Sequence, residues 1–87
     1  MRERDIENYL VKRVKGLGGE VRKVNWVNRR GAPDRLVMLP DKAFWAEVKA
    51  PGVEAEPHQL REHARMREMG QVVYLVDSYE IVERICE

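Results

Sequence analysis

The chain has 87 residues, 16 of them Lys or Arg and 15 Asp or Glu, for a formal net charge of +1. That length makes one domain, spanning residues 1–87, with a modest core, because so short a chain buries only about 60% of the surface its unfolded form exposes. The balanced charge excludes a uniformly basic nucleic-acid binder, and the single cysteine, Cys86, excludes an internal disulfide or a cysteine zinc site and favours a reducing compartment.

Glu3 to Leu17 reads as an amphipathic helix, with Ile6, Tyr9, Leu10, Val14 and Leu17 on one stripe and Gly18-Gly19 as its stop. Glu20 to Trp26 alternates as a strand does, and Asn28-Arg29-Arg30-Gly31 is a polar loop. Two strand-like runs follow, Arg35–Leu39 and Ala43–Ala46, joined through Pro40-Asp41, a pair that suits a type I turn. Pro51-Gly52 ends the third strand. Pro57 and Gly70 sit where a second helix would start and stop, with a loose stripe of Leu60, Ala64 and Met66 or Met69. Val72–Val76 is a continuous apolar run, expected to be a strand buried on both faces. Asp77 with Glu80 reads as a capping box for a short helix carrying Ile81, Val82 and Ile85. The order α-β-β-β-α-β-α predicts an α/β fold, a mixed sheet with helices on both faces. No apolar run approaches the roughly 20 residues of a membrane span, and no signal-peptide pattern opens the chain, so a cytoplasmic location is expected.

The chemistry concentrates at one end of the central hairpin. With Pro40-Asp41 as the turn, Leu39 pairs with Lys42 and Met38 with Ala43, and counting outward sets Asp34 opposite Glu47. Lys49 lies on the same face, one step along. Facing carboxylates destabilise a sheet unless something compensates, and a divalent cation held by hard oxygens is the natural compensation. Asp34 alone could be a turn residue. Glu47 is harder to dismiss, because Phe44, Trp45, Ala46 and Val48 make its strand look buried and carboxylates are almost never buried unpaired. Lys49 could be its structural partner, yet it also faces the same site.

These segments resemble the PD-(D/E)XK nuclease superfamily, with the restriction-endonuclease-like core that this implies. Pro33-Asp34 and Glu47-Val48-Lys49 fill the signature. Gly31-Ala32-Pro33-Asp34-Arg35-Leu36-Val37 and Glu47-Val48-Lys49-Ala50-Pro51-Gly52 are similar to the motifs of its VRR-NUC branch, the virus-type replication–repair nucleases. Gln59 matches a glutamine shared by that branch and the archaeal Holliday-junction resolvases. The resemblance implies a metal-dependent DNA endonuclease, selective for branched or otherwise structured DNA and working in a phage or bacterial host cytoplasm. Asp34, Glu47 and the backbone carbonyl of Val48 would hold Mg²⁺ or Mn²⁺. Lys49 would orient or deprotonate the attacking water or stabilise developing charge. Glu7, with Glu3 as its competitor, would complete the metal shell, and Gln59 would support the water or the scissile phosphate. The rival reading is an inactive DNA-binding or scaffold module of the same fold.

Arg29, Arg30, Arg22 and Lys23 are candidates for backbone phosphates. Trp26 beside that loop could stack on an unpaired base, against an equally weighted solvated-loop reading. His58 and His63 are five apart, which does not suit a zinc pair on one helix face, and His63 is expected to pack against or cap the crossover helix. A homodimer is expected, both from the modest core and from the resolvase resemblance, with the Ile81/Val82/Ile85 helix and the apolar side of the crossover helix as interface candidates.

Overall fold

Ile6, Leu10 and Val14, spaced four apart, are wholly buried and carry one helix onto one face of a sheet. The computed structural model describes all 87 residues. Its elements run α1 (Glu3–Gly16), β1 (Glu20–Lys23), β2 (Arg35–Leu39), β3 (Lys42–Val48), α2 (Pro57–Glu68), β4 (Val73–Val76) and α3 (Tyr79–Ile85). The sheet order is β1-β2-β3-β4, antiparallel except for the parallel β3–β4 pair that α2 bridges. This is the expected element order and the expected mixed sheet. No helix is long and apolar enough to cross a membrane.

The core fills the space between α1, α3 and the facing side chains of the sheet. Val37, Phe44, Ala46, Val48 and Val76 meet Ile6, Leu10, Val14, Val82, Ile85 and Cys86 there. Tyr9 stacks on Tyr79 at 4.2 Å, and Arg13 reaches Glu83 at 2.9 Å, which ties α1 to α3. Because Val82 and Ile85 are spent on this chain's own core, α3 does not present the apolar face expected of an interface helix. Burial also pushes the Cys86 thiol up.

Several expected boundaries move, each for a local reason. α1 stops at Gly16, since Gly18 takes a left-handed φ of 86° and the Gly19 N–H turns back to the Val14 carbonyl at 2.9 Å. β1 ends at Lys23 rather than Trp26, because its partner β2 begins only at Arg35 and the final link is the Val24 N–H on the Asp34 carbonyl. α3 is capped by Ser78, not Asp77; the Ser78 hydroxyl accepts the Ile81 N–H at 3.2 Å. β4 is an edge strand, so Val73 and Val76 are buried while Val72 and Tyr74 stay exposed.

The largest departure is in α2. Of the expected stripe Met66 is buried, but Leu60, Ala64 and Met69 face solvent, and Met66 shares the buried face with Glu62 and His63. A polar face can be buried because it is paired: Glu62 accepts Arg29 Nε at 2.9 Å and Arg65 Nη2 at 2.8 Å.

Shortening a fully buried side chain leaves a cavity that a domain this small cannot easily close. Leu10→Ala should therefore lower stability by about 2–5 kcal/mol, read as a shift in the urea midpoint at unchanged slope; a loss below about 0.5 kcal/mol would place Leu10 outside the core.

Candidate active site at the end of the β2–β3 ladder

The observed pairs Leu39↔Lys42 and Arg35↔Ala46 are the register read from the turn. Continued by one residue they set Asp34 against Glu47, and by two they set Pro33 against Val48. The Lys49 N–H bonds the Val76 carbonyl of β4 at 2.9 Å, so alternation turns the backbone groups of Val48 the other way, towards Pro33. Proline has no N–H to offer. No backbone hydrogen bond joins Pro33 and Val48, and the ladder ends there. The Val48 carbonyl and the Asp34 and Glu47 carboxylates are thus gathered where two strands part.

The two carboxylates differ in setting. Asp34 is half-exposed and touches Arg35 Nη1 at 3.1 Å. Glu47 lies on an inner strand and is mostly buried. Its nearest cation is Lys49 Nζ, at a loose 3.9 Å. Burial, with the charges of Asp34 and Glu3 adding to it and those of Lys49 and Arg35 opposing, pushes the Glu47 carboxyl up to about 7. A desolvated carboxylate with one distant cation and a second carboxylate nearby is a donor set short of positive charge. No three acidic, histidine or cysteine side chains converge closely enough to cage a metal by themselves. The donors present fit a hard cation that keeps several waters, the habit of Mg²⁺.

The remaining expected site residues fall as follows. Glu7 is held by Arg35 Nη2 at 2.9 and 3.0 Å, and the same guanidinium contacts Asp34. Burial works against the charge of Arg35, but Glu7 and Asp34 outweigh it and raise its pKa. Glu3, exposed in the first turn of α1, is the α1 carboxylate whose charge acts on Glu47. Gln59 uses its carboxamide oxygen to cap α2, accepting the Glu56 N–H at 2.8 Å. Arg22 pairs with Glu20 on the surface, and Arg29 braces Glu62. Arg30 and Lys23 are exposed, and the strand register turns Lys23 to the Arg35 face of the sheet, away from Glu47.

His63 is the residue that sequence reasoning under-read. Its ring is fully buried with Nε2 3.7 Å from Glu47 Oε1, and neither nitrogen makes a well-formed hydrogen bond. Burial, then Arg67, holds its pKa below the ordinary value against the weaker pull of the Gly31 backbone. A lone histidine on a helix carries no signal of such a neighbour, since the contact depends on how α2 crosses the sheet. Gly31 helps to set that crossing: its φ is 87°, and a Cβ there would meet the His58 carbonyl at 2.7 Å. The loop before Asp34 therefore lies directly on the start of α2.

No protein-family model matches the chain. It is 46% identical over 82 residues to "Putative nuclease p44" of Acyrthosiphon pisum secondary endosymbiont phage 1, an alignment covering 93% of this chain and 88% of that protein. It also superposes on a solved VRR_NUC domain with a TM-score of 0.85 at 40% identity, covering 95% of this chain and 91% of that one. The chain belongs to the VRR-NUC family. In this VRR-NUC domain the motif residues around Asp34 and Glu47 meet at the end of one ladder, and the Arg29–Glu62–Arg65 cluster fixes the adjacent loop to α2.

That cluster has a measurable pH signature. Arg29, then Arg65, hold the Glu62 carboxyl below its ordinary value of 4.5. A carboxyl with a lowered folded-state pKa adds stability that is complete above the unfolded value and is lost as pH falls through the folded one. Glu62→Gln should therefore be less stable than the parent at pH 7, by about 1–3 kcal/mol in urea unfolding, and the two stability curves should merge in acid. A gap that persists unchanged at low pH would mean that packing, not the ion pairs, secures α2.

Proposed function

We propose that this protein is a divalent-metal-dependent DNA endonuclease. The observation that carries the reading is the meeting of Asp34, the desolvated Glu47 and the unpaired Val48 carbonyl where Pro33 ends the ladder. Membership of a family of nuclease domains and the likeness to a phage protein named as a nuclease support it.

In this reading Asp34, Glu47 and the Val48 carbonyl would hold the ion, with Glu3 or Glu7 reaching it through water. Mg²⁺ or Mn²⁺ held there would supply Lewis-acid polarisation of the phosphodiester and a more acidic water. Lys49, on the same strand face and two residues beyond Glu47, directs its ammonium at the attacking water or at the charge that builds on the phosphoryl oxygens. Arg35 keeps Asp34 and Glu7 apart and oriented, so the half-exposed carboxylate is placed before an ion arrives. Gln59 has a free amide nitrogen for the same water or phosphate while its oxygen caps α2. Arg30 and Lys23 take backbone phosphates, with Arg29 and Arg22 reinforcing the field from their ion pairs. Branched or otherwise structured DNA as substrate, and a homodimer that sets two such sites on two strands, belong to the same reading.

Supercoiled plasmid should be nicked in Mg²⁺ or Mn²⁺ and left intact in chelator. Asp34→Ala and Glu47→Ala should each abolish nicking while retaining the native circular dichroism spectrum; full activity in either would remove these carboxylates from the site.

Lys49→Ala should still bind the ion in calorimetric titration, because an ammonium is not a ligand, yet cleave about 10²-fold more slowly in single turnover. Lost ion binding with an unchanged rate would exchange the two roles.

A further inference from the structure

Both tryptophans of the chain lie in one slot beside this site. Trp26 and Trp45 meet with ring centroids 5.1 Å apart and planes tilted by 48°. With Val27, Met66 and Met69 they line an open notch of about 470 Å³ whose edge carries Arg29. The slot is tied to the catalytic strand ends on both sides. The Trp26 indole N–H donates to the Pro33 carbonyl at 2.8 Å, one residue before Asp34. Trp45 lies two residues before Glu47 on the same strand face, and its N–H donates to Gln71 at 3.0 Å. Both indole N–H groups are therefore satisfied internally, and what the rings offer a ligand is their faces.

Such a surface is unusual to leave open. Trp26 is 37% exposed, Val27 84% and Met69 67%, all at one place. A flat, apolar, π-bearing body of limited size fits a slot floored by indoles and walled by a valine and a methionine. The charges beside it select among such bodies. Arg29 lines the slot in an ion pair with Glu62, and Arg30 follows it exposed in the same loop, so the carrier that suits the body is a polyanion. A second copy of this chain is the poorer occupant, since a stable interface needs about 800 Å² per partner, more than one such notch offers.

We propose that the Trp26–Trp45 slot binds an unpaired nucleobase of the DNA next to the scissile phosphate, and so makes the enzyme selective for strands with an unstacked nucleotide. The inference rests on the endonuclease reading for its substrate, and it names the structural feature of that substrate. A base lies against Trp26 between Val27 and Met69 while Arg30, in the adjoining loop, meets a flanking phosphate. Stacking of this kind tolerates any base, so the selectivity is for the unpaired state and not for sequence. A fully paired duplex presents no free base face and gains only the phosphate contacts.

Because the chain has no other tryptophan, its intrinsic fluorescence reports on the slot directly. The wild-type protein in chelator is titrated with three labelled DNAs: a paired duplex, the same duplex with one bulged nucleotide, and that bulge made abasic. Expected are quenching and about tenfold tighter binding for the bulged base alone, with the abasic bulge behaving as the paired duplex. Trp26→Phe, which loses the bond to Pro33 but keeps a ring face, should retain most of that preference; Trp26→Leu should lose it while binding paired DNA as before. Equal binding of all three DNAs by the wild type, or an undiminished preference in Trp26→Leu, overturns the proposal. Fluorescence that changes with protein concentration without DNA, alongside a dimer in light scattering that Trp26→Leu abolishes, assigns the slot to a second copy and also overturns it. Adding Mg²⁺ to the same samples separates the two readings. Cleavage of all three DNAs alike, without base-dependent binding, defeats the slot and leaves the nuclease standing. Base-dependent binding with no cleavage defeats the nuclease and leaves the slot standing.

Discussion

An antiparallel ladder runs on only while each strand can supply the next N–H, and Pro33 cannot. Everything distinctive about this molecule is arranged around that interruption. The β2–β3 pairing closes cleanly from the Pro40-Asp41 turn to Arg35↔Ala46 and then stops, although β3 continues for two more residues against β4. The gap leaves the Val48 carbonyl without a strand partner on the inner strand of the sheet. It also brings a carboxylate from each strand to its edge. A sheet that ended in bulk solvent at this point would waste the arrangement, since water would screen both charges. Here α2 covers one side and Glu47 is desolvated, so its carboxyl holds its proton more readily than usual and an entering cation favours the charged form with little screening.

The charges that are paired serve the one that is not. Arg35 sits between Glu7 and Asp34, and Glu62 sits between Arg29 and Arg65, so the two walls of the site are fixed by salt bridges rather than by apolar contact. Partly buried pairs of this sort add little net stability compared with well-packed apolar side chains. They do specify geometry, because each guanidinium can satisfy its partner in few orientations. A domain with so small a core has spent its apolar side chains on the α1–α3 face and secured the α2 face by charge.

Much of this was legible in the sequence because it follows from short-range rules. The turn chemistry of Pro40-Asp41 marks the register, and counting outward from it sets Asp34 against Glu47. Helix ends came from proline and glycine, with errors of a residue or two where caps compete, as Ser78 did with Asp77. What escaped was anything depending on α2. Its buried face was sought as an apolar stripe, and Leu60 and Met69 are exposed because the contacts that seat this helix are polar. Pairing between Arg29 and Glu62, 33 positions apart, leaves no local pattern to read. The contact of His63 with Glu47 is hidden for the same reason, and so is the edge position of β4, which an unbroken run of apolar residues disguises.

The far end of the hairpin offers the opposite circumstance. Pro40, Asp41 and Lys42 are exposed, and Asp34 lies six residues back along the strand, about 20 Å away at the usual rise. The ladder is anchored independently at its other end, by β1 on one side and β4 on the other. This turn is accordingly where the chain can carry an inserted tag, a fluorophore or a fused partner, at a cost in loop closure that grows only slowly with length. The short tip of the hairpin is the handle by which this small protein can be held, with the carboxylates at its root left free to work.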